Sequence, residues 1–69
     1  TEAAGAPLLS PRELEAIRHA AQGLSAPATA AAMHRSLETV RHHRKAAMAK
    51  LGARTITQAV ARALSLGLL

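Results

Sequence analysis

The alternation of apolar and polar positions divides most of the chain into four helical segments. The clearest runs from Ser36 to Leu51, S-L-E-T-V-R-H-H-R-K-A-A-M-A-K-L. Wound at 3.6 residues per turn, it places Val40, Ala47 and Leu51 within a narrow arc, with Met48 at the edge. Glu38, Arg41, His42, Lys45 and Ala49 lie roughly opposite. The segment therefore has an apolar seam and a basic face rich in hydrogen-bond donors.

The other segments have their own start and stop signals. Ser10-Pro11-Arg12-Glu13 combines an N-cap Ser, Pro at the first helical position and Glu at the third, which predicts a full capping box. Leu14, Ile17 and Ala21 follow at i, i+3 and i+7 as the inward face, and Gly23 supplies the stop. Leu24 then turns inward. Ser25 caps a short Ala-rich helix to about Met33, where Pro27 is tolerated because first-turn N–H groups have no intrahelical partner. The seam of this helix is thin: Ala30 and Met33, with Thr29 nearby, whose hydroxyl needs a partner if buried. His34-Arg35 makes a tight connection to Ser36, the next cap, and Gly52 ends the third helix. Thr55-Ile56-Thr57-Gln58 predicts a second capping box, with a last helix to about Leu66 and Ile56, Val60, Ala63 and Leu64 inward. Residues 1–7 have no periodicity and read as a linker or tail, leaving 8–69 as one domain. No segment has strand alternation and none repeats. Two short helices joined by about three residues form a helix-turn-helix, whose second member is the reading helix.

Composition narrows the class. Of 69 residues, 18 are Ala, 16 are Leu, Ile, Val or Met, and none is aromatic. So small a fold buries little apolar surface, and its helices must approach closely. There is no Cys, which removes disulfides and thiolate metal sites. No apolar run approaches a membrane span, and no signal peptide is evident. The chain begins at Thr1 rather than Met, as expected of a piece of a longer protein.

Charge is more informative in its distribution than in its total. The formal net charge is +5. Arg35, Arg41, Arg44, Lys45, Lys50 and Arg54 face only Glu38 within residues 35–54, and the remainder of the chain is neutral. A basic stripe on a neutral module suits a polyanionic partner, although it also describes an ordinary solvated face.

Three motifs in order, L-S-P-R-E-L-E…A-Q-G-L-S, S-L-E-T-V-R-H-H and K-L-G-A-R-T-I-T-Q-A-V-A-R-A-L-S-L-G-L-L, resemble the LuxR/GerE-type DNA-binding domain. That domain is the C-terminal output module of many bacterial transcription factors, including NarL-like response regulators. The similarity spans residues 8 to 69 without a gap. It implies an all-α, four-helix fold whose third helix enters the major groove. Arg41, His42 and Lys45 match the family's base-reading positions, Thr39 matches a position that touches the DNA backbone, and the fourth helix is the family's usual dimerisation surface.

Four positions depart from the family pattern. Arg35 replaces the aliphatic residue expected before the third-helix cap, where a staple against Val40 would form; its methylenes can lie there instead, with the charge in solvent. His34 occupies a turn position often taken by Gly, and His is among the more tolerant residues at positive φ. Thr29 replaces the preferred Ile. Leu37 replaces a frequent acid, and it either meets a thymine methyl or packs on a neighbouring helix.

Other chemistries find little support. His42 and His43 are adjacent and point about 100° apart, which hinders joint chelation, and with His34 they lack the Cys or carboxylates that would complete a metal site. No metal or cofactor is expected. Four carboxylates, no Ser-His-acid constellation and no Gly-rich phosphate loop argue against an enzyme, and so short a helical chain leaves little room for a substrate pocket.

The expected function is sequence-specific binding of double-stranded DNA by the output domain of a bacterial transcriptional regulator, with helix 36–51 in the major groove. Arg41 is placed to donate bidentately to guanine O6/N7, Lys45 to reach a guanine or phosphate, His42 to donate or accept, and Glu38 to accept from cytosine N4. Thr39, Lys50, Arg44 and Arg54 are the candidate phosphate contacts. Ala61, Arg62 and Ser65 form a small outer surface for pairing two copies on DNA. An upstream regulatory domain and RNA polymerase are the further partners expected, in the bacterial cytoplasm at the nucleoid, with no membrane partner. Two alternatives are a degenerate helix-turn-helix used for protein–protein contact and a sigma-factor region 4-like promoter binder.

Overall fold

The computed structural model describes residues 9–69. The tail assigned to 1–7 lies outside the described residues. Four helices follow in order: α1 (Pro11–Ala21), α2 (Ala26–Met33), α3 (Leu37–Leu51) and α4 (Ile56–Ser65), with no strand among the described residues.

Each helix begins at the expected cap. The Ser10 hydroxyl accepts from the Glu13 N–H at 3.2 Å, while the Ser10 N–H donates to Glu13 Oε1 at 3.0 Å. This reciprocal pair satisfies two donors that the first turn leaves without partners. Ser25 and Ser36 accept from the N–H groups of Ala28 and Thr39 at 3.2 and 3.1 Å. The second capping box forms only half as expected. Thr55 accepts from the Gln58 N–H at 3.0 Å, but the Gln58 side chain accepts from the Arg54 N–H at 2.7 Å, one residue before the cap.

The stops are left-handed turns. At the end of α2, His34 adopts φ 55 and ψ 43, so the position does require the conformation that favours Gly. The Arg35 N–H then reaches back to the Ala30 carbonyl at 3.0 Å. This turn sets the angle between α2 and α3. Arg35 itself is exposed. Val40 is buried among Ala16, Ala30 and Met33.

The core has two lobes that meet on α1 and α3. Ile17, Ala47, Leu51, Ala59 and Ala63 join α1, α3 and α4; Ala16, Ala30, Met33 and Val40 join α1, α2 and α3. Leu9, Met48, Ile56, Val60, Leu68 and Leu69 pack around the first lobe. The expected seam of α3 is buried in full: Val40, Ala47 and Leu51.

Two inward assignments are corrected. Ala21 is exposed, because α1 is rolled to bury Glu13, Ala16 and Ile17. Leu64 is 57 % exposed, and Ala59 takes the inner position with Ala63. Two alanines one turn apart let α4 approach α1 closely, and that rotation carries Leu64 past the edge of the contact.

A left-handed His is strained relative to Gly by on the order of 1 kcal/mol. His34→Gly is therefore expected to raise stability by about 0.5–1 kcal/mol, the larger chain entropy of Gly offsetting part of the relief. The midpoint of urea unfolding measures it; an unchanged or lower midpoint contradicts a strained turn.

Candidate nucleic-acid interface

The N-terminal two-thirds of α3 carries the candidate interface. Its cap and first turn are fixed by Ser36, so the side chains that follow project from a rigid rod. Glu38, Arg41, His42 and Lys45 are all exposed on the side away from Val40, Ala47 and Leu51. None of the four forms an ion pair with another described residue, so the donors of Arg41 and Lys45 face solvent. The rings of His42 and His43 are tilted, with centroids 6.0 Å apart. His43 is half-buried, as is Leu37 in the first turn. Thr39 is half-buried, and its hydroxyl oxygen accepts from the Ser36 hydroxyl at 2.8 Å.

The four candidate phosphate contacts do not share one situation. Arg54 is exposed in the turn before α4. Thr39 sits beside the α3 cap, where the positive end of the helix dipole favours an anion. Lys50 already holds an internal partner: its ammonium donates to Glu13 Oε1 at 2.8 Å, tying α3 to α1, while the side chain stays 43 % exposed.

Arg44 is corrected. It turns inward rather than toward solvent, donating from one terminal nitrogen to the Leu24 carbonyl at 2.9 Å and to the Thr29 hydroxyl at 3.5 Å. The reason is positional. Arg44 lies four residues after Val40, about 40° round the helix and within the buried arc. Burial pulls its pKa below the usual guanidinium value, yet it remains a cation. Thr29 is fully buried, and its hydroxyl donates to the Ser25 carbonyl at 2.8 Å. The partner its burial demands is thus partly within its own helix and partly Arg44.

By local sequence Glu13 is a cap alone. The structure gives it a second role as the partner of Lys50, thirty-seven residues away. Apart from its place in a helix that must roll to bury Ala16 and Ile17, local sequence carries no signal for that pairing.

The dimerisation candidates Ala61, Arg62 and Ser65 are exposed on α4, beside Leu64. An open groove of about 430 Å³ lies between the C-terminal ends of α3 and α4, lined by Ala49, Lys50, Leu51, Gly52, Arg62, Ser65 and Leu66. Its lining includes no carboxylate, His or Cys. Among the described residues, no three metal-ligating side chains gather, and no helix is long and apolar enough to cross a membrane.

A short capped helix, a three-residue turn and a longer helix with an exposed basic face, braced by two more helices, define a DNA-binding helix-turn-helix domain. Residues 7–63 match the family model of bacterial regulatory proteins, luxR family. The match covers most of the chain, and the chain belongs to that family. It is a domain of the DNA-binding, transcription-regulating kind. A search of curated proteins returns no match.

The Lys50 ammonium and, next, the Ser10 N–H hold the Glu13 carboxyl below its ordinary pKa, against an opposing push from burial. A carboxylate depressed on folding contributes stability that is fully present above its unfolded pKa and is lost as pH falls through the folded one. Wild-type stability should therefore decline below about pH 4.5. Glu13→Gln should lower stability at pH 7 by about 1–2 kcal/mol and flatten that decline. Urea titrations from neutral to acidic pH check both; an unchanged acid slope in the variant contradicts the pairing.

Proposed function

We propose that this domain binds double-stranded DNA sequence-specifically as the output module of a bacterial transcriptional regulator, with α3 in the major groove. The observation that carries this reading is the face of α3: Arg41, His42, Lys45 and Glu38 exposed together, unpaired with one another, opposite a fully buried seam. An α-helix fits the major groove, and these side-chain types match the base edges presented there. Arg41 donates to guanine O6 and N7, His42 and Lys45 flank it, and Glu38 accepts from cytosine N4 or orients Arg41. Thr39, Arg54 and Lys50 meet phosphates, Lys50 by sharing its three donors between Glu13 and the DNA. Residues 8–69 act as one unit joined through residues 1–7 to a regulatory domain of the response-regulator kind. Two copies pair through α4, with Ala61, Arg62 and Ser65 around the exposed Leu64, on half-sites about one helical turn apart. The complex works on RNA polymerase at the nucleoid in the cytoplasm.

Selection of bound sequences from a random duplex pool tests the reading, followed by anisotropy titrations with the selected and a random duplex. Enrichment of a motif is expected. No enrichment, and no retention of random duplex at about 10⁻⁴ M in low salt, would favour a helix-turn-helix used for protein contact. Arg41→Ala should cost about 1–3 kcal/mol on the selected site and relax preference at one base pair. Arg54→Ala should weaken both duplexes alike and reduce the salt slope by about one unit. Equal losses on both duplexes for Arg41→Ala would argue against base reading.

A further inference from the structure

α2 has little with which to hold its place. Its eight residues include five alanines, and its buried side chains are Thr29, Ala30 and Met33. Contact through small apolar groups is non-directional, so it permits the helix to slide or roll on its neighbours. The turn at His34 constrains only one end. A directional contact is needed at the other end, and Arg44 supplies it. From the middle of α3 its guanidinium donates to the Leu24 carbonyl, just before the α2 cap, and to Thr29 in the first turn. The Thr29 hydroxyl passes the bond on to the Ser25 carbonyl. The 2.9 Å bond to Leu24 is the firm tie, and the 3.5 Å contact with Thr29 extends it to the first turn of α2.

Stability alone does not account for Arg44. Its Nε is buried with no hydrogen-bond partner, and burial disfavours its charge. Both effects weigh against the fold, and an apolar side chain at this place in the arc would avoid both. What an apolar residue would not provide is a fixed distance and angle between α2 and α3. In a helix-turn-helix the first helix crosses the DNA backbone while the second reads the bases, so their mutual pose decides whether both engage at once.

We propose that Arg44 is a positioning residue for DNA recognition: it locks α2 to α3 through Leu24 and Thr29, and does not itself touch DNA. This rests on the DNA-binding function proposed above.

Arg44→Leu keeps bulk and removes the donors, and Thr29→Val removes only the hydroxyl, so it keeps the test open should the first variant fold poorly. The duplexes are the selected site and a random sequence. Arg44→Leu is expected to weaken the selected site about tenfold while leaving the random duplex and the salt slope unchanged. Thr29→Val should lose affinity for the selected site in the same selective way, and the double variant should lose less than the product of the two. Amide exchange, measured without DNA, should accelerate in residues 26–33 of Arg44→Leu but not in α3 or α4. A salt slope lower by about one unit, with equal losses on both duplexes, would make Arg44 a phosphate contact and overturn the proposal. Unchanged exchange in α2, or exchange raised uniformly across the domain, would overturn it as well. If the wild-type chain binds neither duplex, the DNA reading falls. Exchange alone then decides whether Arg44 locks α2: selective acceleration upholds the tie, and no change removes it.

Discussion

Five of the nine buried core residues are alanine, and this scarcity of apolar volume governs the rest of the architecture. An alanine buries about 2 kcal/mol less than a leucine at the same position, at roughly 0.8 kcal/mol per methylene. Alanine also lets helix axes come close, so the four helices gain packing density where they lack bulk. The consequence is a core that attracts its parts without orienting them. Orientation then falls to polar contacts, each comparable in strength to the missing methylenes. Caps fix where the helices begin. Lys50 and Glu13 fix α1 against α3. Arg44 reaches the entrance of α2. Each of these long-range ties starts on α3, which shares with α1 a place in both lobes of the core.

The circumference of α3 is consequently divided three ways. One arc, Val40, Ala47 and Leu51, is buried. Its flanks carry cations that face inward or sideways, Arg44 toward α2 and Lys50 toward α1. The remaining arc, with Glu38, Arg41, His42 and Lys45, faces solvent. The flanking cations tie α3 to its neighbours, and so bear on the angle at which the last arc is presented. The same residue type thus does unlike work within fifteen residues, and position round the helix decides which.

Features decided within a few residues were readable from sequence. The caps at Ser10, Ser25, Ser36 and Thr55 and the seam of α3 depend on local spacing, and all occur, whereas only the family resemblance pointed to a Gly-like turn at His34. Features decided by packing were not. Leu64 lies outside because Ala59 and Ala63 let α4 close on α1, a choice that favours proximity over the burial of the larger side chain. Glu13 satisfied one local requirement as a cap, which concealed its distant partner. Gln58 accepts from the Arg54 N–H in place of the cap residue's own, a shift of one residue that spacing alone does not fix. Arg44 is different in kind: its residue type points to the surface, while its place four residues after Val40 points inward. On a helix, angle from the seam is the stronger guide whenever a long side chain can find a carbonyl.

The basic stripe itself changes meaning under this division. Six cations lie between residues 35 and 54, yet two of them are engaged inside the fold. Arg35, Arg41, Lys45 and Arg54 remain exposed without an ion pair among the described residues. Only charges that displace counterions contribute to salt-dependent attraction for a polyanion, so the formal excess overstates the field available for binding. The inward bonds also respond differently to salt. The Arg44 tie ends on a carbonyl and a hydroxyl, with no opposing charge to screen. The half-exposed Lys50–Glu13 pair is screened in part. Rising ionic strength therefore weakens attraction at the outer arc first and leaves the hold of α3 on α2 largely intact. Under the DNA-binding function proposed above, the pose of α3 on α2 would outlast the non-specific attraction at the outer arc as salt rises.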